Sequence, residues 1–600
     1  MRLLTRRQYI QILAASSLAA SCADPASKGG SPVDGASRRR MLPESAITTI
    51  RAEEDWYMHS AGVVATGGET LCCTYRRSDE HIASEVEVWR VLSRDGGKTW
   101  QDHEMLTRSA WDPDKANWVA PQLGETRDGR LLLLIDRGVK TSKFDWTTLS
   151  EWQKPPRGMS NWLMESADGG ITWTEPRKID DVGGEPSYII ELSNGDWLYT
   201  RTDSAPTTAK KFPSMPWGPN YYKSTAVIST NQGTTWDIKV PVADDPLIGD
   251  CEVGVAEWKP GSLIAISRIG DAGSALGQPS RFIFSADFGR TWSKPVLSPI
   301  YAHRPCVKPL QNGKLMVSFR NAWGTPGSCV FVFHPEEKFT YQPNSFLWDP
   351  SRCRMEDGCM VLDTGMGSQE IASFTLYPME DDESALELEF ELAVERAEEN
   401  ACNVAAGAWI RFLPTRVEVA ARTSEGFDID ATKFHNYRVV HEGGRLVVFA
   451  DGEKRIDTPD KGIFDRLVRF GCRHGAASIA GKTNPEEKTR QPLKGPRYQQ
   501  TNGLSKWKSF RASVRNRRDH SVEWKWTPAD GFPDQFQRNR VVCLEPNGAM
   551  SAGDSGYSGW DQMPEGSIVV VDYSTTKEGL RHPILRAYRI ERDLVPEAFA

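Results

Sequence analysis

The sequence predicts an all-β chain built as a six-bladed β-propeller with a β-sandwich inserted between blades 5 and 6, on three observations. One eight-residue turn motif occurs four times. A unit of apolar strand, turn ending in glycine and second apolar strand occurs six times. Turn dipeptides punctuate the whole chain, which carries 50 Gly and 21 Trp, and long segments of helical period are almost absent.

The turn motif reads Ser-x-Asp-x-Gly-x-Thr-Trp, at Ser93 to Trp100, Ser166 to Trp173, Ser229 to Trp236 (with Asn231 in place of Asp) and Ser285 to Trp292. Its third side chain can accept backbone N–H groups inside the turn, glycine permits a positive φ, and tryptophan pins the turn to the sheet. Asp95, Asp168 and Asp287 therefore read as structural groups and not as catalytic acids.

The strand units centre on Gly68, Gly129, Gly195, Gly261, Gly313 and Gly566, with gaps of 61, 66, 66, 52 and 253 residues. One unit is too small to bury a sheet face alone, so repetition at this period implies blades stacked around an axis. The last gap exceeds one blade by roughly 190 residues, which implies an insertion. Within it Leu386, Leu388, Phe390, Leu392 and Val394 alternate with Glu387, Glu389, Glu391 and Ala393, the period of a half-buried strand. Tyr437 to Ile456 then read as two strands with turns at Glu442-Gly443-Gly444-Arg445 and Asp451-Gly452. This hairpin resembles those of laminin-G or concanavalin-like sandwiches, which often contact glycans; a purely architectural sandwich fits equally well. Residues 482–500 read as a mobile loop.

The N-terminus reads as an export signal. Arg6 and Arg7 precede an apolar stretch to Ala20, a twin-arginine-like pattern. Ala19-Ala20-Ser21-Cys22 sets Cys22 where a lipoprotein signal carries its acylated cysteine, although Ala19 stands where such boxes usually have Leu. The expected protein is exported, periplasmic or at the cell surface, and meets a membrane only through a lipid on Cys22. No other apolar run is long enough to span a bilayer. The expected divisions are signal 1–22, linker 23–46, blades 1–5 at 47–338, sandwich 339–530, and blade 6 with ring closure at 531–600.

A net charge of -7 leaves no basic surplus for phosphates, which argues against a nucleic-acid partner. Eleven cysteines form no spaced framework. Cys72 and Cys73 point to opposite faces of one strand, and Cys353 with Cys359 is the close pair to test for a bridge. No residues have metal-ligand spacing, and no cofactor is expected.

The Asp-containing turns and the six-unit period resemble the sialidase superfamily, over about residues 50 to 335 and 535 to 595. The resemblance implies hydrolysis of terminal sialic acids at the centre of a sialidase-type propeller. It implies a tyrosine nucleophile beside a glutamate, an aspartate acid/base, and three arginines on the substrate carboxylate. The chemistry accounts for these choices. An anomeric carbon bearing a carboxylate repels an anionic carboxylate nucleophile, so a phenol activated by a nearby Glu suits it better. Arginine forks hold a carboxylate through paired hydrogen bonds.

Carried onto this sequence, the best local match runs from Cys251-Glu252-Val253-Gly254 through Gly261 to Arg268, so that Glu252 and Arg268 can meet across a hairpin. Glu257, in mid-strand, fits a structural role. Asp554-Ser555-Gly556-Tyr557-Ser558 resembles the nucleophile segment, with Tyr557 as the candidate. Tyr75-Arg76-Arg77-Ser78-Asp79 stands where the family places its acid loop, with Asp79 as the acid and Glu80 and Glu85 as rivals. The family's Tyr-Arg-Ile-Pro of the first blade aligns with Tyr57 to Ala61, where its arginine is missing and His59 stands nearest. Arg76, Arg77, Arg304 of His303-Arg304-Pro305, and Arg320 are the residues able to compensate.

The expected function is a retaining, sialidase-like exo-glycosidase on a sialylated or otherwise acidic glycan. Two alternatives keep the propeller. One is a glycosidase or polysaccharide lyase on another acidic glycan, using His59 or His303 for proton transfer. The other is a glycan-binding propeller without catalysis.

Overall fold

The computed structural model describes residues 39–600 apart from 82, 84, 111–115, 140–158, 207–219, 247, 270–276, 322–326, 348–351, 366–371, 399–400, 473–501, 545–554 and 575–581. Six small sheets form a β-propeller, each packing its innermost strands against the neighbouring blades. Blade 1 comprises Tyr57–Gly67, Thr70–Ser78, Glu85–Ser93 and Gln101–Ala110. Blades 2, 3 and 4 are consecutive antiparallel sheets of the same order, with inner strands Ala116–Glu125, Ile190–Glu191 and Asp250–Lys259. All six unit glycines have positive φ and turn the first strand of a blade into its second.

The repeated turns join the third and fourth strands of blades 1 to 4, and each is closed by its own side chains. In the last, Asp287 Oδ1 accepts the Thr291 N–H at 2.9 Å and Oδ2 accepts the Thr291 hydroxyl at 2.6 Å. Ser285 Oγ accepts the Gly289 N–H at 2.9 Å. Asn231 makes the same contact to Thr235 N–H at 2.9 Å, so the amide replaces the carboxylate without loss of the turn. These carboxylates are committed to backbone, as their structural reading requires.

The insertion lies inside blade 5 rather than after it. Blade 5 runs Ala302–Pro309, Leu315–Asn321 and Gly327–Phe333, and its fourth strand is Val541–Cys543, beyond the sandwich. Arg40–Met41 adds a fifth, parallel strand. Blade 6 combines Gly559–Gln562, Ile568–Ser574 and Ile584–Ile590 with Ile47–Arg51 from the other end of the chain. Residues 541–543 therefore belong to blade 5 and not to the expected blade-6 division at 531–600, and 40–41 belong to the propeller and not to the expected linker. A three-residue strand shows no period in sequence, and pairing to a distant edge supplies what local pattern does not.

Packing holds the ring shut. Between blades 1 and 6, Val63, Leu71, Cys73 and Tyr75 meet Val569, Val571 and Tyr573, all with at most 1% exposure. Burying a side chain of this size contributes roughly 1.5–3 kcal/mol, so the closing seam is carried by its apolar faces.

The sandwich consists of a seven-stranded and an eight-stranded antiparallel sheet. Ala385–Ala397 is the alternating strand expected from the sequence, its Leu and Phe side chains buried. Phe470 stacks on Phe510 with centroids 4.1 Å apart, next to Trp507. His435–Glu442 and Arg445–Ala450 form the expected hairpin. Asp519 joins sandwich to propeller, accepting from Gln278 Nε2 at 3.2 Å and Tyr377 Oη at 2.8 Å.

Cys353 and Cys359 are not bridged. They lie on one hairpin, but Cys353 faces Leu362 and Cys359 faces Glu356, so register separates them. The signal, Cys22 and the 482–500 loop lie outside the described residues.

Candidate active site

The axial residues are aimed by one device repeated from blade to blade. The pairing of inner and second strands breaks between His59 and Gly62, Trp118 and Pro121, Cys251 and Gly254, and His303 and Cys306. Each break is a β-bulge, which bends the strand and re-aims a side chain. Three of them contain a non-glycine residue in the left-handed region: Ser60 (φ 49°), Glu252 (φ 44°) and Arg304 (φ 49°). Blade 3 repeats the arrangement with Glu185 (φ 48°), next to the isolated Gly184–Thr202 bridge. Such conformations cost of order 1–3 kcal/mol each and persist where the surroundings enforce them, often at functional sites. The inner strands crowd together here, since a Cβ on Gly254 would stand 2.2 Å from the Pro305 carbonyl oxygen.

Tyr557 occupies the corresponding place in blade 6, two residues before the strand Gly559–Gln562. Its hydroxyl donates to Glu252 Oε1 at 2.7 Å. Arg268 Nη1 donates to the same carboxylate oxygen at 2.6 Å and to Tyr557 Oη at 3.0 Å. Arg268 is the cross-strand partner of Cys251, so the hairpin brings it beside Glu252. Tyr557 is held from behind by Asp572, whose Oδ1 accepts the Gly556 and Tyr573 N–H groups at 3.0 and 2.7 Å and whose Oδ2 accepts from Ser328 Oγ.

Burial acts to raise the pKa of Glu252, but the charges of Arg268 and Arg304 and the hydrogen bonds from Arg268 and Tyr557 prevail and bring it down to about 2. Tyr557 moves the other way, raised by burial and by the charge of Glu252 against Arg268 and Arg320. The pair at rest is thus a phenol donating to a carboxylate.

Arginines surround this pair. The Arg304 and Arg320 guanidinium carbons lie 5.5 and 4.7 Å from the Tyr557 ring centroid. Arg304 Nη2 donates to the Pro186 carbonyl at 2.8 Å, while its buried Nη1 has no hydrogen-bond partner among the described residues. Arg76, Arg268 and Arg320 are equivalent positions in blades 1, 4 and 5, each opposite the residue that precedes a bulge. Such an array suits an anionic ligand group.

His59 is not the counterpart of the missing first-blade arginine. One residue further on, Ser60 holds the bulge position that Arg304 holds in blade 5. The His59 ring packs against Tyr573 and Tyr557, centroids 4.6 and 5.2 Å away, with Nδ1 at the Ser60 hydroxyl. Burial, His81 and the nearby arginines lower its pKa well below the ordinary value, so the imidazole is neutral. Its Nε2 has no hydrogen-bond partner among the described residues. His303 is likewise held neutral, by burial and by Arg268 and Arg320.

Arg77 does not belong to the site. Period two sends it to the face opposite Arg76, where it pairs with Glu53 and Glu87, both at 2.6 Å, and lies 3.6 Å over the Trp56 ring. Asp79 is half-buried on the loop after the second strand, its Oδ1 accepting the Glu80 and Glu85 N–H groups at 3.1 and 3.4 Å. Its charge reaches Arg76. Glu85 pairs with Arg108, and Glu80 is exposed. Glu257 accepts Ser193 and Gly261 N–H groups at 2.7 and 2.8 Å, a structural role.

Glu185 was not singled out by sequence. Burial, together with the charge of Glu252, raises its pKa to about 7 against Arg304 and Arg268. Its N–H donates at 2.9 Å to Asp136, a fully buried carboxylate that also accepts the Ala120 N–H at 2.8 Å. Glu185-Pro186 and Arg304-Pro305 share a local pattern that marks the bulge position.

Fold and site together define a class: a six-bladed propeller with Asp-containing repeat turns and an axial tyrosine–glutamate–arginine cluster. Residues 69–310 match the family model of the BNR repeat-like domain. No curated protein matches the chain. Among solved structures it is similar to a protein of unknown function from Dyadobacter fermentans, at 18% identity over 55% of this chain and 93% of that one (TM-score 0.39). A Hadza microbial sialidase is 18% identical over 48% of this chain and 62% of that one (TM-score 0.35). The Trypanosoma rangeli sialidase is 11% identical over 83% of this chain and 97% of that one (TM-score 0.35).

Proposed function

We propose that the chain is a sialidase-type exo-glycosidase that releases a terminal sialic acid or related acidic sugar from a glycan with retention of configuration. The observation that carries this reading is the 2.7 Å hydrogen bond from Tyr557 to Glu252, with Arg268 bonded to both. Arg268, Arg304 and Arg320 hold the sugar carboxylate, Arg304 supplying from the blade-5 bulge the guanidinium that Ser60 does not supply from the blade-1 bulge.

Asp79 gives its carboxyl proton to the glycosidic oxygen as the C–O bond breaks. Tyr557 Oη bonds to the anomeric carbon while its proton passes to Glu252. Water then attacks that carbon and leaves its proton on Asp79, and the departing Tyr557 oxygen recovers its own from Glu252. Both carboxylates end as they began.

A second reading is favoured by Ser60 in the arginine's place and by the unpartnered Nε2 of a neutral His59. Here the substrate is a different acidic glycan, and His59 takes or gives the proton.

The full chain is to be incubated with a fluorogenic sialoside and with uronate-containing glycans, beside Tyr557→Phe. Sialoside turnover abolished by that substitution supports the first reading. Turnover of a uronate glycan alone supports the second. Binding without turnover makes the propeller a glycan receptor and rules out both.

A further inference from the structure

All ten described cysteines are thiols in this structure. Two of them are set apart by their place in the ladder. Cys329, on the third strand of blade 5, pairs directly with Cys543, on the strand that returns from the sandwich. Their sulfurs are 3.7 Å apart.

The register defines the geometry. The Leu544 N–H donates to the Ser328 carbonyl at 2.8 Å, which makes 328 and 544 a hydrogen-bonded pair. Adjacent pairs of an antiparallel ladder alternate, so 329 and 543 form a non-hydrogen-bonded pair, with Cα atoms about 4.5 Å apart and side chains at their closest. That separation lies within the span a disulfide bridges without backbone movement. The expected pair, Cys353 and Cys359, fails on this same criterion, because neither faces the other.

We propose that Cys329 and Cys543 are an intrachain cystine site, formed in an oxidising compartment and joining blade 5 to the strand that leaves the sandwich. The oxidant is the disulfide of a small thiol or of a thiol oxidoreductase. One cysteine thiolate attacks it, forming a mixed disulfide and releasing one partner thiol. The second cysteine then displaces the remaining partner sulfur. Two electrons and two protons leave on the two reduced partner thiols. Cys329 and Cys543 are 0% and 6% exposed, so exchange precedes closure of this part of the ladder.

The cross-link encloses the whole sandwich, since its ends are 214 positions apart. It also borders the candidate site. Ser328, next to Cys329, donates to Asp572, and Asp572 holds the Gly556 N–H beside Tyr557.

The test uses the full chain, refolded with reduced and oxidised glutathione, denatured, alkylated and mapped by mass spectrometry. The expected result is a Cys329–Cys543 cross-linked peptide in most molecules. Reduction with dithiothreitol lowers the unfolding temperature by about 5 °C, and a C329A/C543A double variant shows no such drop. The proposal is overturned if every cysteine alkylates, if the cystine maps to another pair such as Cys402 with Cys472, or if the double variant responds to reductant as wild type does. Where the double variant does not fold, the wild-type peptide map decides alone.

Discussion

Glu185 and Glu252 hold the same bulge position in neighbouring blades, yet burial and the charge of Glu252 raise Glu185 to about 7 while arginine charges hold Glu252 near 2. Between those values one carboxyl keeps its proton and the other does not. Two acids driven apart in this way mark a site arranged for proton transfer.

The raised group gives a pH-dependent stability. Protonated Glu185 favours the folded chain fully below its ordinary pKa of 4.5, and that contribution is lost as pH rises toward about 7. Glu185→Gln imitates the protonated form. Wild type and variant are expected to unfold at the same temperature near pH 4.5. At pH 8 the variant should be the more stable, by on the order of 3 kcal/mol. Thermal unfolding across pH 4.5 to 8 checks this, and parallel curves would refute it.

Glu252→Gln should have the opposite sign. Its contribution to stability is present above pH 4.5 and lost as pH falls toward about 2. Replacement removes the charge that faces Arg268 in the buried pair, a loss of roughly 3 kcal/mol at pH 7. Urea unfolding at pH 7 gives the number, and an unchanged midpoint would show that the pair contributes nothing.

Arg304→Lys separates charge from shape. Lysine keeps the charge but cannot donate to Pro186 while presenting a planar fork to the cleft. KM for an acidic substrate is expected to rise about tenfold, on the order of 1.4 kcal/mol, with kcat changed less. Steady-state kinetics with the substrate found in the glycan panel decides it.

Asp287→Ala tests the repeat turns. The backbone and hydroxyl bonds to Thr291 are lost, which costs about 1–2 kcal/mol. Turnover per folded molecule should stay within a factor of two of wild type, whereas a catalytic role would abolish it.

Much of the fold was legible because local rules set it. Gly261 and its five equivalents sit where a tight turn needs positive φ, and the Ser285–Asp287–Thr291 contacts are confined to one turn. What depended on long-range pairing was not legible. Val541–Cys543 is too short to show a period, so its return to blade 5 was missed. Arg76 and Arg77 are indistinguishable in sequence, because only the register decides which of two neighbours reaches the axis. His59 stands nearest the missing arginine in sequence, but a bulge displaces the face by one residue, to Ser60. Glu185 escaped because Gly183-Gly184-Glu185-Pro186 has no strand pattern. Its likeness to Arg304-Pro305 was the available signal.

Blade 6 joins Ile47–Arg51 to strands near the other end of the chain, so an edge made early waits for one made late. During synthesis Glu252, Arg268 and Arg304 leave the ribosome long before Tyr557 and the strand Ile584–Ile590 that seats its blade. The axial cluster is therefore the last part of the propeller to exist. A nascent or truncated chain can complete four blades, with Arg268 already paired to Glu252, and still lack the tyrosine that both of them contact.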